Sequence, residues 1–373
     1  MRNLYTPRSV RTIIAVVTTA LLLAACGGPQ STMEPFGDHA QRIYDLLIPI
    51  AWMALGVFIV VEGLLLYTVI RFRRKSNSAI PAQIHGNTQV EILWTIAPAL
   101  IVLVIAVLTF NTQRLNSVQP ADALQVTAVG HQWWFEFQYP KTGAEGELLT
   151  ATDMYIPVGR PVTVSLVGAD VIHNFWIPKL AGKTYMIPNK KNRLSFTALA
   201  PGIYRAVCAE FCGTQHAQMR FRVIALEPAK YEAWLNAKRT VPPEAPAYQV
   251  TIPNFTGYGT LTGDAARGKA VFLDATNQCI TCHAVYGTKA IGNIGPNLTY
   301  YGSRTVIGAG VLDYSPENLA KWLHQAYDLK PGNIMSRVIT QKWIADNLSD
   351  QEIADLVAYL DSMKTDIALP PVK

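Results

Sequence analysis

Cysteine is scarce in this sequence. The 373 residues include only five cysteines, one near the N-terminus and the others in two close pairs, which excludes a small secreted fold held by many disulfides. Histidine is also rare, with seven residues, and charged side chains make up only 16 % of the chain. Half of the chain is hydrophobic, a high share for a wholly soluble protein, so a membrane part is expected. The length allows two or three domains.

The N-terminus has the features of an export signal. Arginines at positions 2, 8 and 11 precede an apolar stretch over 12–25, which is too short for a spanning helix of roughly 20 residues. The stretch ends in Leu-Ala-Ala before Cys26 and resembles the lipobox of bacterial lipoproteins, whose cysteine is lipidated. We therefore predict a lipoprotein-type signal peptide at 1–25. The alternatives are an ordinary signal or an uncleaved helix with an unrelated cysteine.

Two longer apolar runs follow, at 46–70 and 92–110. Each is long enough to cross a membrane and almost free of charge, which disfavours two buried helices of a soluble domain. The short connection between them begins with a basic cluster at 71–75, so it is expected on the cytoplasmic side. The sequence therefore predicts a transmembrane helical hairpin over 40–112, with everything after position 111 extracytoplasmic.

The exported part changes in character along its length. Residues 120–238 contain short alternating and β-branched runs broken by Gly and Pro, which predict an antiparallel all-β sandwich or barrel with a short helix at 228–237. The stretch 240–263 is rich in Pro and Gly and is interpreted as a linker, whereas 264–373 has helix caps and amphipathic runs. The net charge is +5 over 111–240 and −1 over 264–373, so the basic balance does not indicate nucleic acid.

The C-terminal part contains Cys279-Ile280-Thr281-Cys282-His283, the C-x-x-C-H attachment pattern of c-type haem. Two thiols one helical turn apart can add to two vinyl groups, and the next imidazole can ligate the iron. A redox C-x-x-C or half a zinc site is the alternative, but no thioredoxin-like context and no further cysteine or histidine within 30 residues accompanies the motif. The sixth ligand is expected to be Met335 in a turn-rich segment, with Met363 and His324 as poorer candidates.

Around this motif the sequence resembles the class I cytochromes c, over about 264–365. Gly295-Pro296-Asn297-Leu298 resembles the family segment in which a proline carbonyl accepts the N–H of the ligating histidine, an orienting bond that the resemblance assigns to Pro296. The resemblance implies an all-α cytochrome c domain at 264–373 with covalently bound haem c. The family usually has proline directly after the ligating methionine, where this chain has Ser336.

A second cluster, C-A-E-F-C-G-T-Q-H-A-Q-M at 208–219, places two cysteines, a histidine and a methionine in twelve residues. A disulfide closing so small a loop would stabilise little, and zinc would leave the methionine without a role. Blue copper sites use one cysteine, two histidines and a weak axial methionine. The second cysteine here allows two thiolates to bridge two copper ions, with one imidazole from His216 and the other from His173 upstream.

With Asp-Val-Ile before His173, this pattern resembles the dinuclear CuA site of cytochrome c oxidase subunit II, and the resemblance covers about 35–240. It implies a cupredoxin-like sandwich at 120–238. It further implies two bridging thiolates, one histidine for each copper and a weak axial methionine, which correspond to Cys208, Cys212, His173, His216 and Met219.

The same resemblance assigns three further roles. A carbonyl ligand of copper, whose carboxylate helps to bind a magnesium ion shared with the catalytic subunit, corresponds to Glu210. Electrons enter at a tryptophan that corresponds to Trp133, for which simple core packing is the alternative. A glutamate at the mouth of a proton channel corresponds to Glu91, for which an ordinary carboxylate at headgroup level is the alternative. The family often has an acidic residue where Tyr185 stands, which leaves the magnesium shell open.

These features predict a multidomain electron-transfer subunit that passes electrons from haem c to CuA and on to a separate catalytic subunit. Dioxygen reduction belongs to that other subunit, because the predicted membrane helices contain no histidine. The expected partners are oxidase subunits I and III, a small external donor such as a soluble cytochrome c, and membrane lipid. The expected location is the bacterial inner membrane, with both redox domains on the periplasmic side.

Three alternatives to this function remain. The first is the small subunit of a CuA-containing nitric oxide reductase. The second is a nitrous oxide reductase, which is disfavoured because the chain has no large histidine-rich domain. The third is a membrane-tethered electron shuttle without a catalytic partner, for which one anchor would suffice instead of a hairpin.

Overall fold

The computed structural model describes residues 12–19, 27–73, 83, 85–143, 146–241, 247–254, 259–335, 347–365 and 367–373. They divide into two compact units, one formed by Gln41–Val118 and the other by the residues before and after it. Residues 12–19, within the predicted signal, are helical. The predicted lipidation site Cys26, the end of the basic cluster at 74–75 and Ser336 lie outside the described residues.

Two long apolar helices account for most of the first unit. Helix α1 spans Asp38–Arg71 and helix α2 spans Thr88–Asn116. Both are long and apolar enough to cross a membrane, and most of their large apolar side chains are exposed. They extend beyond the predicted runs at 46–70 and 92–110 because polar residues at their ends are helical too. The side chain of Asn87 caps α2 by accepting two backbone N–H groups.

Residues 124–226 form a sandwich of two five-stranded sheets. The first sheet has the order β3-β2-β1-β5-β8 and the second has the order β4-β10-β9-β6-β7. The strands are β1 Leu124–His131, β2 Trp134–Gly143, β3 Gly146–Ala151, β4 Asp153–Pro157, β5 Val162–Gly168, β6 His173–Ile177, β7 Ala181–Met186, β8 Asn192–Phe196, β9 Gly202–Cys208 and β10 Arg220–Leu226. Phe135, Phe137, Phe175 and Phe221 are almost fully buried in the core and pack ring against ring.

The all-β sandwich is confirmed, but the predicted antiparallel pairing does not hold for two pairs of strands. Strand β1 pairs in parallel with β5, and β10 pairs in parallel with β4. In both pairs the chain passes through other strands before it returns, which allows the second strand to run in the same direction. Helix α3, Pro228–Ala237, follows the sandwich at the predicted position and buries Tyr231 and Trp234.

The C-terminal domain is helical, as predicted. It contains α4 at Ala265–Leu273, the one-turn helix α5 at Cys279–Cys282, α6 at Pro316–Leu329 and α7 at Asp350–Ser362. Gly268 brings α4 against α7, because a Cβ at this position would lie 1.9 Å from the carbonyl oxygen of Asp355. The carboxylate of Asp355 also pairs with Arg267 at 2.8 Å.

The prediction of a linker over 240–263 is wrong for its second half. Strands β11, Gln249–Pro253, and β12, Thr260–Asp264, form an antiparallel hairpin. Ile252 in β11 is 1 % exposed and belongs to the core of the C-terminal domain. Its apolar side chain gives this short stretch a surface to bury, so it folds with the domain although Pro and Gly surround it. Residues 242–246 and 255–258 lie outside the described part.

The sandwich and the C-terminal domain belong to the same compact unit and share buried polar contacts. Asp153 in β4 is 2 % exposed and accepts the backbone N–H of Thr305 at 2.8 Å and its hydroxyl at 2.7 Å. At the C-terminus, the backbone N–H of Lys373 donates to the carbonyl oxygen of Ile203 in β9. The haem-motif domain is therefore docked on the sandwich.

Candidate copper and haem centres

The cysteine cluster lies at one end of the second sheet. Strand β9 ends at Cys208, a loop and a short 3₁₀ turn at His216–Gln218 follow, and β10 begins at Arg220. The backbone N–H of Cys208 donates to the carbonyl oxygen of Met219, so the base of the loop is closed. Strand β6, which begins at His173, pairs with β9 and brings this histidine to the loop.

The sulfur and nitrogen atoms of this loop converge. The two thiol sulfurs of Cys208 and Cys212 are 3.8 Å apart, too far for a disulfide, in which sulfurs are about 2.05 Å apart. The Cys212 sulfur lies 3.7 Å from Nδ1 of His216 and 3.7 Å from the sulfur of Met219. The Cys208 sulfur lies 3.3 Å from the carbonyl oxygen of Glu210. The arrangement presents thiolate, imidazole, thioether and carbonyl donors to one point.

His173 completes the cluster from the opposite side. It is fully buried, and one of its ring nitrogens lies within 4.8 Å of both cysteine sulfurs. Its Nε2 donates to Oδ1 of Asp170 at 2.7 Å, whereas its Nδ1 is buried without a hydrogen-bond partner. A buried polar atom normally has a partner, so a metal ion at Nδ1 would satisfy it. Two thiolates, imidazoles and a thioether are the donor set that copper prefers, and these residues therefore fit copper.

Hydrogen bonds within the cluster shift the pKa values of Asp170 and of the two cysteines. Burial alone would raise the pKa of Asp170, but hydrogen bonds from His173, Val171 and Gln132 lower it below its usual value. Asp170 is therefore ionised and can hold the proton of His173 on Nε2. The hydrogen bond between the two thiols lowers the pKa of Cys208 and raises the pKa of Cys212.

The haem motif lines a largely apolar cavity, which is bordered mainly by the C-terminal domain and also by Trp133 and Trp134 of the sandwich. Cys279 and Cys282 stand at the two ends of the one-turn helix α5, and both border the cavity together with His283 and Met335. The remaining wall is mainly apolar and includes Phe272, Leu298, Leu319, Leu323, Leu356 and Leu360. Met363 lies in the domain core at 7 % exposure, and neither it nor His324 is among the described residues that line the cavity.

A hydrogen bond to the backbone fixes the orientation of the His283 imidazole. Its Nδ1 lies 2.8 Å from the carbonyl oxygen of Pro296, in the arrangement that the resemblance to class I cytochromes c implies, and this leaves Nε2 for a metal ion. Gly295 makes room for the ring, because a Cβ there would lie 2.5 Å from Cε1 of His283. Burial lowers the pKa of His283 to about 4, so the ring is neutral at pH 7. The cavity, its two thiols and this oriented imidazole fit a covalently attached haem.

Trp133 lies between the two centres. It is only 6 % exposed, borders the haem-motif cavity and donates its indole N–H to the carbonyl oxygen of Cys212 at 3.0 Å. The C-terminal domain therefore covers Trp133, the residue to which the resemblance assigns electron entry into the copper site. Glu91 lies in the first turn of α2, where its carboxylate accepts the backbone N–H of Asn87. Tyr185 is 48 % exposed in β7.

Two residues next to the centres had no predicted role. Asp170 was visible in the sequence as the acidic residue three positions before His173, but only the structure shows that its carboxylate holds the imidazole. Lys330 follows α6 and is 3 % exposed, and its ammonium group donates to the carbonyl oxygen of Trp133 at 2.8 Å. No pattern in the sequence distinguishes this lysine from an ordinary turn residue.

Comparison with known proteins gives three family matches along the chain. Residues 34–112 match the transmembrane domain of cytochrome c oxidase subunit II, residues 141–226 match its periplasmic domain, and residues 265–364 match cytochrome c. The chain is 36 % identical to cytochrome c oxidase subunit 2 of Alkalihalophilus pseudofirmus, over 92 % of this chain and 94 % of the relative. It is 34 % identical to the subunit 2 of Bacillus sp. strain PS3, over 93 % and 95 %. The crystal structure of the periplasmic domain of subunit II from Bradyrhizobium japonicum is 27 % identical, with a TM-score of 0.31, and covers 33 % of this chain and 97 % of that domain.

Proposed function

Because the chain belongs to the family of cytochrome c oxidase subunit II, a subunit of the haem–copper terminal oxidase, we propose that it passes electrons from haem c to CuA. From there they go on to the catalytic subunit, which reduces dioxygen to water coupled to proton translocation. The observation that carries the proposal is the position of Trp133, which borders the haem-motif cavity and donates to the carbonyl oxygen of Cys212. One side chain therefore adjoins both proposed centres.

The copper centre is proposed to use the converging donors. Cys208 and Cys212 would supply thiolates shared by the two ions, His173 and His216 would supply one imidazole to each, and Met219 and the carbonyl oxygen of Glu210 would be weaker ligands. When bound, the pair takes up and releases one electron shared between both ions. The protein excludes water from this point, since His173 and Met219 are fully buried, and Asp170 fixes the tautomer of His173.

The haem is proposed to attach to Cys279 and Cys282, with His283 and Met335 as iron ligands. Pro296 orients His283 through its carbonyl oxygen, and the apolar wall of the cavity shields the ligands from water. His283 is neutral at pH 7, since burial lowers its pKa to about 4, so no proton has to leave before it binds. A methionine ligand is expected to raise the reduction potential of the haem.

The remaining parts of the proposal concern the assembly. We propose that the chain works with subunits I and III in the bacterial inner membrane, with the sandwich and the cytochrome c domain on the periplasmic side. A small external donor, such as a soluble cytochrome c, then reduces the haem, because the C-terminal domain covers Trp133. Magnesium binding by the carboxylate of Glu210, proton uptake near Glu91 and lipidation of Cys26 remain predictions.

The test is the cofactor content and activity of the purified membrane complex. A c-type haem spectrum, two copper ions per chain and a mixed-valence EPR signal are expected. A single copper ion, or a disulfide between Cys208 and Cys212 in the copper-loaded protein, would contradict the CuA proposal. Oxygen uptake rather than nitric oxide uptake by the complex is expected, and the opposite preference would support the nitric oxide reductase alternative.

A further inference from the structure

The contact between the two exported domains contains a buried ammonium group. The Nζ atom of Lys330 donates to the carbonyl oxygens of Trp133 at 2.8 Å, Gln218 at 2.9 Å and Gly308 at 2.9 Å. An ammonium group has three donors and no acceptor, so all three of its hydrogen bonds are made. Lysine is almost never fully buried unless it is paired, and here backbone oxygens provide the pairing.

The three carbonyls belong to three separate segments. Trp133 lies in the turn between β1 and β2, and Gln218 directly precedes Met219, the proposed axial copper ligand. Gly308 belongs to the C-terminal domain and, like Lys330 and Trp133, borders the haem-motif cavity. The loop over 209–219, between β9 and β10, is called the copper loop. A single side chain of the cytochrome c domain therefore binds two sandwich segments, one at Trp133 and one at the end of the copper loop.

The backbone around Lys330 is itself held in place. The side chain of Asn333, 7 % exposed, donates to the carbonyl oxygens of Lys330 at 2.8 Å and Ala326 at 3.1 Å. From the copper loop, Nε2 of Gln215 donates to the carbonyl oxygen of Pro331 at 2.8 Å. The turn that carries the lysine is thus attached to the copper loop at a second point, and it leads directly to Met335, the proposed iron ligand.

We propose that Lys330 is a positioning residue for electron transfer from haem c to copper, and this inference rests on the function proposed above. Its three hydrogen bonds hold Trp133 and the Met219 end of the copper loop at a fixed separation from the haem cavity. The rate of electron tunnelling falls exponentially with the distance between the two redox centres. Loss of the Lys330 contact is therefore expected to slow electron transfer even when both cofactors remain bound.

A second buried lysine provides a matched control. Lys238 is 2 % exposed and also crosses between the domains, with its ammonium group 3.3 Å from the hydroxyl of Ser303 and 2.8 Å from that of Thr365. It lies over the ring of Tyr300 at 4.0 Å. None of these partners is in the copper loop or among the described residues that line the haem-motif cavity. The two lysines therefore share burial and an interdomain position but differ in their relation to the electron path.

The experiment compares Lys330→Met and Lys238→Met in the full-length protein loaded with haem and copper. Haem and copper content, the c-type haem spectrum and the EPR signal establish that both centres are intact, and thermal unfolding reports the stability of each variant. After rapid reduction of the haem, oxidation of the haem and reduction of copper give the internal transfer rate. We expect Lys330→Met to slow this rate by roughly tenfold or more, as loss of positioning does in reactions that depend on geometry, and Lys238→Met to leave it unchanged.

Gln215→Ala provides a milder perturbation of the same turn and decides the question if Lys330→Met does not fold. Slower internal transfer with intact spectra supports the inference. A wild-type rate in Lys330→Met, or in Gln215→Ala where the first variant does not fold, would overturn it, as would equal slowing in Lys238→Met. Failure of the proposed function looks different, because the unmodified protein would then lack haem c, lack the copper pair or show no transfer between them.

Discussion

Replacement of Asp170 by asparagine tests whether His173 binds copper through Nδ1. The carboxylate accepts Nε2–H of His173 and the backbone N–H groups of Gln132 and Val171, each at 2.7 Å. Asparagine keeps the shape and one acceptor oxygen but carries no charge. The variant therefore weakens the electrostatic hold on the tautomer of His173, and with its oxygen toward His173 its NH2 group replaces the oxygen that accepts from Gln132.

The expected magnitude follows from the position of Asp170 directly behind a proposed ligand. Loss of such an outer partner typically lowers metal affinity by about 10–100-fold, or about 1.4–2.7 kcal/mol. We expect the lower part of this range, because the amide oxygen of asparagine can still accept from Nε2. Asp170→Ala, which leaves no acceptor for the three N–H groups, should lie at the upper end.

The assay is a copper titration of the purified protein against a competing chelator, followed by the EPR signal of the copper pair. Asp122→Asn is the matched control, since Asp122 is an exposed carboxylate just before β1, at the end of that strand remote from His131. Copper affinity should be unchanged in this control. Wild-type affinity in both Asp170 variants, with the protein folded, would refute the argument that His173 is a copper ligand oriented by a carboxylate.

Three further predictions concern the other ligands and the domain contact. Cys208→Ser removes one of the two proposed bridging thiolates, so the mixed-valence EPR signal should disappear while the haem spectrum remains; a persisting signal would contradict bridging by both cysteines. Met335→Ala should convert the haem to a high-spin or altered-ligand spectrum, whereas Met363→Ala, at a core position 7 % exposed, should keep the spectrum and lose about 2–5 kcal/mol of stability; the reverse outcome would make Met363 the ligand. Electron transfer between separated domains should have a salt-dependent rate, because their net charges differ. In the intact chain the rate should change by less than about twofold between Debye lengths of about 30 Å and about 3 Å. The ion pair of Arg222 with Asp313 joins the two domains, but Asp313 is 84 % exposed, so screening of this pair should have little effect on the docked arrangement. A steep salt dependence in the intact chain would contradict the docked arrangement.

The donor set is the part of the site that the sequence predicts best. Four of its donors lie within twelve residues, and few metals use two thiols, an imidazole and a thioether together. His173 was harder to predict, since it comes from another strand, and only a search upstream for an unassigned histidine identified it. The structure brings it to the cluster because β6 pairs with β9, a pairing that no local pattern encodes.

The parts of the fold that the sequence predicted poorly depend on long-range contacts. Alternation of apolar and polar residues predicts strands and their buried faces but not their direction, so the parallel pairs of β1 with β5 and of β4 with β10 were missed. For the hairpin at Gln249–Pro253 and Thr260–Asp264, the composition predicts a linker, because it is rich in Pro and Gly. Only the burial of Ile252 against the C-terminal domain gives the segment its structure.

The individual contacts that dock the haem domain on the sandwich are the least predictable feature of the fold. The acceptors that hold Lys330 are backbone carbonyls, which every residue has, so no residue type at Trp133, Gln218 or Gly308 marks the contact. A flexible tether alone would give the haem domain an effective concentration in the millimolar range at the copper centre. The tethered domain would still have to diffuse into a productive orientation before each electron transfer. The positioning role proposed for Lys330 would remove that diffusional search, because its ammonium group binds both domains and fixes their arrangement. With electron entry proposed at the haem, Trp133 is proposed as an internal bridge between the haem-motif cavity and the copper cluster.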